Sequence, residues 1–268
     1  SFDIIHAHDW MTIPAALLAR RISGRPLVLH IHSLEYDRSG EAVNEEICAI
    51  ERAGLQRADR IIAVSHRTKR MIAERYGVDP RKISVIHNAV SQAEAKGARR
   101  GKGDRERKTV LFLGRVTFQK GPDYFVEAAS LVLKTLPDVT FVMAGEGDMM
   151  KQMIERVAEL GIGDRFHFTG FLQGEEIERI FSLSDLYVMP SVSEPFGISP
   201  LEAMLYDVPV IISRQSGVSE ILRHALKVDF WDVRETADKI IAVLRHPALA
   251  RVMTTKALDE IRRIRWEN

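Results

Sequence analysis

Leu186-Tyr187-Val188-Met189-Pro190-Ser191-Val192-Ser193-Glu194-Pro195-Phe196-Gly197-Ile198-Ser199-Pro200-Leu201-Glu202 reads as a buried strand, a turn and the start of a helix. Leu186–Met189 is continuously apolar, as suits a parallel strand covered on both faces. Pro195 and Gly197 fix the turn. A helix begins near Ile198, with Ser199 and Pro200 in its first turn. The unbonded N–H groups and positive dipole end of such a helix form an anion site. Gly197 lets a phosphate approach the backbone closely. Glu202, one turn further on, is spaced to accept two hydrogen bonds from a vicinal diol such as a ribose. Glu194, in the turn, is placed to accept hydrogen bonds from sugar hydroxyls. Taken alone, the stretch reads equally as a capped helix with two solvent-facing acids.

The same strand–helix rhythm runs along the whole chain. Phe2–His6, Leu27–Ile31, Arg60–Val64 and Ile83–His87 are candidate strands in the first part, and Val110–Leu113, Val139–Ala144, Phe166–Phe168, Leu186–Met189 and Val208–Ile212 in the second. Amphipathic helical patterns lie between them, for example Tyr124–Lys134, Met149–Leu160 and Ile177–Ser182. This alternation predicts an α/β protein with doubly wound parallel sheets and right-handed crossovers, whose ligands sit beyond the carboxyl ends of the strands. Ser91–Lys108 breaks the rhythm: SQAEAKGARRGKGDRERK has no large apolar residue and an excess of Lys and Arg. It reads as a solvated flexible linker, or else as a basic docking site for a polyanion. The expected division is therefore a first domain over 1–90, a linker over 91–108 and a second domain over 109–268. The first half has only four strands and no Gly-rich turn after an opening strand, so that domain reads as incomplete. The chain has no initiator Met and ends directly after a helical run, so both ends read as cut.

The chain has 268 residues, 46% of them hydrophobic, with a formal net charge of +1. A sizeable core is affordable at that composition, and the charge balance argues against a whole-protein role on nucleic acid or a membrane surface. No apolar run reaches the ~18 residues of a membrane-spanning helix. Cys48 is the single cysteine, so no internal disulfide forms, and a reducing, cytoplasmic location is the plain reading. Oligomeric state is not legible.

Three further motifs stand at strand ends. Leu113-Gly114-Arg115-Val116-Thr117-Phe118-Gln119-Lys120-Gly121 places Arg115 and Lys120 on a strand–helix turn, where two cations can neutralise a diphosphate or simply lie on the surface. The order of a Walker loop is absent. In Ala144-Gly145-Glu146-Gly147-Asp148, Gly145 and Gly147 permit close approach of a nucleotide, but Met150 replaces the third glycine of a dinucleotide fingerprint, which argues against hydride transfer. His6-Ala7-His8-Asp9-Trp10 places His8 and Asp9 just past the first strand. His6 and His8, like His30 and His32, alternate as metal ligands sometimes do. With no Cys or carboxylate cluster to complete a site, hydrogen bonding in the core or a cleft is the expected fate, and no metal is expected. Met71, Met143, Met149, Met150, Met153 and Met204 read as core or gap-filling residues, and Cys48 as a structural thiol.

Together these residues resemble the retaining glycosyltransferases of the glycogen and starch synthase kind, families 4 and 5, with the two-domain GT-B architecture. The resemblance rests on His6-Ala7-His8-Asp9-Trp10, Gly114-Arg115 with Gln119-Lys120-Gly121, Gly145-Glu146-Gly147-Asp148, and Glu194-Pro195-Phe196-Gly197 through Glu202, in the family's order. It runs from His6 to Trp266. It implies that Glu194 contacts hydroxyls of the donor sugar, Glu202 binds the ribose, Arg115 and Lys120 embrace the phosphates, and His8 lies near the transferred sugar. Gly114, Gly145, Gly147, Phe196, Gly197, Ile198 and Ser199 would line the donor, with backbone N–H groups from Gly197 to Ser199 on the diphosphate.

The sequence departs from the family in three places. The family's opening strand and Gly-rich loop precede Ser1, the closing helix stops at Trp266-Glu267-Asn268, and Leu226-Lys227-Val228-Asp229-Phe230-Trp231 stands where a Gly-hydrophobic run is usual after Glu220.

What the resemblance implies is metal- and cofactor-independent transfer of a sugar, glucose, from a UDP- or ADP-sugar to a glucan-like or other carbohydrate acceptor, with retention. A nucleotide-sugar-binding module without transfer, and a GT-B sugar-nucleotide epimerase, remain the alternatives.

Overall fold

In this computed structural model residues 2–90 and 107–264 are described. Short apolar runs with β-branched residues form the strands and the longer amphipathic runs form the helices, for the most part in alternation. The first part contains β1 (Ile5–His8), α1 (Asp9–Ser23), β2 (Leu27–Ile31), α2 (Glu35–Ser39), α3 (Glu45–Arg57), β3 (Arg60–Ala63), α4 (His66–Tyr76) and β4 (Ile83–Val85). The second contains β5 (Thr109–Leu113), α5 (Pro122–Thr135), β6 (Thr140–Ala144), α6 (Met150–Glu159), β7 (Phe166–Gly170), α7 (Glu175–Leu183), β8 (Leu186–Met189), α8 (Ser199–Leu205), β9 (Val210–Ser213), β10 (Leu226–Val228), α9 (Val233–Arg245) and α10 (Pro247–Ile261).

The strands build two parallel sheets, as the continuous apolar runs require. One has the order β1-β2-β3-β4 and the other β10-β9-β8-β5-β6-β7. The described residues divide into two units accordingly. The first comprises residues 2–88 with two short segments from late in the chain, Ser193–Phe196 and Ser216–Glu220. The second comprises 89–90, 107–192, 197–215 and 221–264. The linker expected over 91–108 lies outside the described residues except for its last two. Of these, Lys108 pairs with Asp185 at 3.7 Å, and its carbonyl accepts from Thr140 N at 2.8 Å.

The first sheet runs in simple chain order. In the second, the chain steps outward from β5 to β6 and β7, then returns to the other flank of β5 with β8 and continues to β9 and β10. β5 and β8 thus form a topological switch point, where neighbouring connections leave to opposite sides and open a crevice beyond the strand ends.

Each unit has its own core. In the first, Leu29, Ile31, Ile61, Leu55 and Ile72 are fully buried, and Tyr76 is 1% exposed. In the second, Val110, Phe125, Phe141, Met143, Leu186, Val188 and Ile211 are sealed. Met143, Met153 and Met204 are buried, and Met71, Met149 and Met150 pack partly buried against these cores or beside them, as core and gap-filling residues do. Cys48 is buried beside Tyr76, and burial raises its thiol pKa.

Several boundaries differ from the sequence reading. β1 spans Ile5–His8 rather than Phe2–His6, because only from Ile5 does the chain pair with β2, with His8 abreast of His30. His8 therefore ends the strand instead of following it. The second sheet has a sixth strand, Leu226–Val228, pairing with Ile211–Ser213. Only three residues long and interrupted by Lys227, it lacks the apolar run that marks a strand by itself. No described helix is long and apolar enough to cross a membrane.

A buried polar knot holds the first unit. Glu51 is fully buried and accepts from Arg38 Nη2 at 3.0 Å, from the Tyr76 hydroxyl and from Glu35 N at 2.9 Å. Glu35, also buried, accepts from Arg38 Nε at 3.1 Å and from Ser39 Oγ at 2.7 Å. Removing one member leaves buried donors with no acceptor. Glu51→Ala is expected to lower unfolding free energy by about 3 kcal/mol, read as a lower urea midpoint with an unchanged denaturant slope.

Candidate functional site

The second unit gathers most of the predicted donor residues at the carboxyl ends of β5, β6 and β8. Gly114-Arg115-Val116 leaves β5 and Gly145-Glu146-Gly147 leaves β6, and the two loops are locked together. Gly114 N donates to Ala144 O at 3.0 Å, Val116 N to Glu146 O at 2.8 Å, and Met149 N to Val116 O at 3.0 Å. A Cβ added to Gly145 would fall on Gly114 O, and one added to Gly147 on Val116 O. The close approach that these two glycines permit is thus that of the neighbouring loop's backbone, which the sequence reading had given to a nucleotide. Gly145 also takes a φ of +135°, where a side chain is strained.

Lys120 and Gly121 close the turn after β5. Gly121 has a φ of +64°, and a Cβ there would strike Pro190 O just beyond β8. Val192 N donates to Gln119 O at 3.0 Å. Buried Gln119 also accepts from Arg115 Nη2 at 3.2 Å. The β5 turn carrying both predicted cations is therefore fixed to the β8 loop across the switch point. Arg115 is exposed and Lys120 half-buried.

Gly197 takes a φ of +98°, and α8 follows at Ser199. The Ser199 hydroxyl bonds the Tyr187 hydroxyl at 2.8 Å, and Tyr187 also reaches Leu113 O at 3.3 Å, linking α8 to β8 and β5. Ile198 is exposed, and Glu202 lies half-buried in the first turn of α8. α8 has only seven residues. Its dipole is correspondingly small, and any anion there depends on local N–H groups and the cations.

Glu194, Phe196 and His8 belong to the first unit. Glu194 is 7% exposed and forms a parallel bridge with Ser216; its carbonyl accepts from Gly217 N at 2.9 Å. Phe196 is 2% exposed and lies 5.9 Å from the His87 ring; its carbonyl accepts from Val218 N at 2.7 Å. Beside Glu194, Ser193 donates to Asp37 Oδ1 at 2.7 Å and accepts from Arg67 Nη2 at 2.8 Å. Burial raises the Asp37 carboxyl pKa.

Sequence reasoning gave no role to Asp37, Arg67 and Ser193, which touch only in three dimensions. It also passed over the role of Glu220. That carboxylate accepts from His66 N at 2.8 Å and Arg67 N at 2.6 Å, capping α4 with negative charge. A lone acid 154 residues from the helix it caps leaves no local signal.

Asp9 takes the left-handed conformation with φ +55° and accepts from His32 N at 2.7 Å and Ser33 N at 3.3 Å. It thereby ties the ends of β1 and β2 together. His8 Nδ1 lies 2.9 Å from His32 Nε2. His6 and His30 join them, with neighbouring ring centroids 4.2 to 5.7 Å apart. The sequence showed two alternating pairs; the sheet makes one cluster of four. Desolvation, followed by the neighbouring imidazoles, lowers the His30 pKa from 6.5 to about 4, and the same causes lower that of His6.

A model of the glycosyl transferases group 1 matches residues 96–259, and one of glycosyltransferase family 4 matches residues 1–94. The chain belongs to the group 1 glycosyltransferases. It is 32% identical to a glycosyltransferase of Methanocaldococcus jannaschii, with 89% of this chain and 64% of that protein covered. With a glycogen synthase of Mycobacterium tuberculosis it shares 28% identity over 92% of this chain and 61% of that protein. The chain thus spans somewhat under two thirds of the length of these two relatives. The fold is also that of Anabaena HepE, solved in complex with UDP and glucose, at a TM-score of 0.83 and 22% identity over 98% of this chain and 74% of that one. Its two parallel-sheet α/β domains are the GT-B architecture expected from the sequence.

Gly145→Ala should destabilise the chain by about 3 kcal/mol through overpacking against Gly114, measured by denaturant unfolding. In an NMR titration the His30 imidazole should remain neutral to about pH 4, with His6, His8 and His32 the titratable groups facing it. The folded-state value lies below the unfolded one. The unfolded chain therefore takes up the proton first, and stability falls as pH drops from about 6.5 toward 4.

Proposed function

We propose that this glycosyltransferase takes its sugar, glucose, from UDP- or ADP-glucose and transfers it with retention to a glucan-like or other carbohydrate acceptor, without a metal or cofactor in the transfer step. The observation that carries the reading is the pair Arg115 and Lys120 on a turn fixed across the β5/β8 switch point of the second unit. In open parallel sheets that crevice is where ligands bind, and two cations there suit a diphosphate. HepE, of the same fold, is described with UDP and glucose bound, and a relative of this chain is a glycogen synthase.

Breaking the bond between glucose and the diphosphate leaves negative charge on the departing phosphate oxygens. Arg115 and Lys120 stabilise that charge as it grows, aided by backbone N–H groups between Gly197 and Ser199. Glu202 accepts hydrogen bonds from the ribose diol. The resemblance to the family gives Glu194 the hydroxyls of the glucose; within the first unit it is held by the bridge to Ser216, with Ser193, Asp37 and Arg67 next to it. The ring oxygen's electron pair helps expel the diphosphate; the acceptor hydroxyl attacks the same carbon from the face the diphosphate leaves, and the departing phosphate oxygen takes up the hydroxyl's proton. Configuration is thereby kept without a carboxylate nucleophile. Gly114, Gly145 and Gly147 shape the floor of the site through the locked loops rather than by touching the donor.

Calorimetry of the chain with UDP-glucose and with ADP-glucose, beside a transfer assay onto a glucan primer, tests the reading. Binding with turnover supports it, binding without turnover turns it into a nucleotide-sugar-binding module, and absence of binding to both donors overturns it. Lys120→Ala should reduce turnover roughly 100-fold, about 3 kcal/mol of barrier. Unchanged turnover would sink the electrostatic role.

A further inference from the structure

We propose that His6, His8 and His30, oriented by His32, form a binding site for a divalent transition metal of the zinc class at the carboxyl ends of β1 and β2. The site arises from strand geometry. Side chains two residues apart on a strand share a face, and neighbouring parallel strands bring their faces abreast. The register sets His8 opposite His30, so His6 and His8 on β1 and His30 on β2 project from one face, and His32, just past the end of β2, stacks on His30. The opposite face carries Ala7, Leu29 and Ile31 into the core.

One ligand nitrogen from each of His6, His8 and His30 lies within 4.8 Å of the others. Zinc–nitrogen bonds of about 2.0–2.1 Å with tetrahedral angles need nitrogens about 3.3 Å apart. From nitrogens within 4.8 Å, reaching the spacing of a zinc site takes at most about 1.5 Å of ring movement, available to His6 and His8, which are exposed.

Two further observations point to a ligand. His30 Nε2 is buried and has no hydrogen-bond partner. An orphaned buried nitrogen costs stability, and a metal would satisfy it. His8 Nδ1 is engaged by His32 Nε2 at 2.9 Å, which leaves His8 Nε2 as its ligating lone pair. A second group holding the far nitrogen of a metal-bound histidine is the usual supporting arrangement for such sites. An all-imidazole donor set selects Zn²⁺, Cu²⁺, Ni²⁺ or Co²⁺ over Mg²⁺ and Ca²⁺, which require oxygen ligands. Three protein nitrogens leave the fourth position of a tetrahedral ion to solvent. The sequence reading discounted a metal for want of Cys or carboxylate. Imidazoles from two strands supply the set without either.

The probe is Co²⁺ titrated into the metal-free 268-residue chain and followed by visible absorption, with Zn²⁺ as competitor and Mg²⁺ as control. One equivalent of Co²⁺ should give the intense bands of a four-coordinate ion. Zn²⁺ should abolish them and Mg²⁺ should leave them unchanged. His6→Gln and His30→Ala should each remove these bands, while His32→Ala should weaken binding 10- to 100-fold. His87→Ala, at the separate His66–His87 pair, should leave the titration as it was. Circular dichroism reports folding of each variant. His6→Gln changes an exposed edge-strand residue and so decides the matter even if His30→Ala fails to fold. Four-coordinate bands that survive in His6→Gln, or a native chain that gives only weak octahedral Co²⁺ absorption, would overturn the site.

Discussion

Gly145 has no side chain, and the backbone of Gly114 runs through the space that one would fill. This close packing of loop on loop at the ends of β5 and β6 is the constraint on which the second unit rests. β5 is central in its sheet and buried on both faces, so its connection must turn out over neighbouring strand ends without leaving a void. The loop after β6 tucks in by carrying Gly145 and Gly147, and the loop after β8 is drawn in by Gly121 beneath Pro190. Three strand-end loops become one rigid rim. A rim fixed by backbone hydrogen bonds holds Arg115 and Lys120 in place before any ligand arrives. Electrostatic stabilisation of a leaving group needs that preorganisation, because cations that must first be ordered spend part of their binding energy on being ordered.

The first unit solves a related problem with charge rather than with glycine. It combines an early stretch of the chain with two short late segments, and carboxylates fasten its strand ends, helices and segments. Asp9 ties β1 to β2 through the backbone of His32 and Ser33. Glu220 caps α4, and Asp37 holds Ser193 beside Glu194. Each carboxylate accepts backbone or side-chain donors that would otherwise be left unsatisfied, so each is structural whatever else passes through the site. The four histidines on the open face of β1 and β2 differ in kind. They are packed together with a hydrogen bond between the His8 and His32 rings, and the buried His30 Nε2 is left over. Such a group is better matched to a ligand than to a fold.

Much of the architecture was legible because its cause is local. Leu27–Ile31 and Leu186–Met189 were read to the residue, since a continuous apolar run flanked by turn residues has few other outcomes. The family was legible in the ordered motifs from His6 to Glu202. The start of β1 was misplaced because strand limits depend on where a partner exists, and β2 offers none to residues before Ile5. β10 was missed because Leu226-Lys227-Val228 is a strand only by virtue of lying beside β9.

The candidate site divides along the same line. Sequence by itself determined that Arg115, Lys120, Glu194 and Gly197 stand in the turns after strands and Glu202 in the helix that follows one, because residue type and strand–turn–helix order are properties of neighbours along the chain. Only the tertiary structure decided that Gly145 and Gly147 receive backbone, that Glu220 caps a helix 154 residues away, and that two pairs of histidines are one cluster. These depend on sheet order and register. Those are set by which apolar faces can be buried together, and that balance is struck over the whole unit rather than within any segment of it.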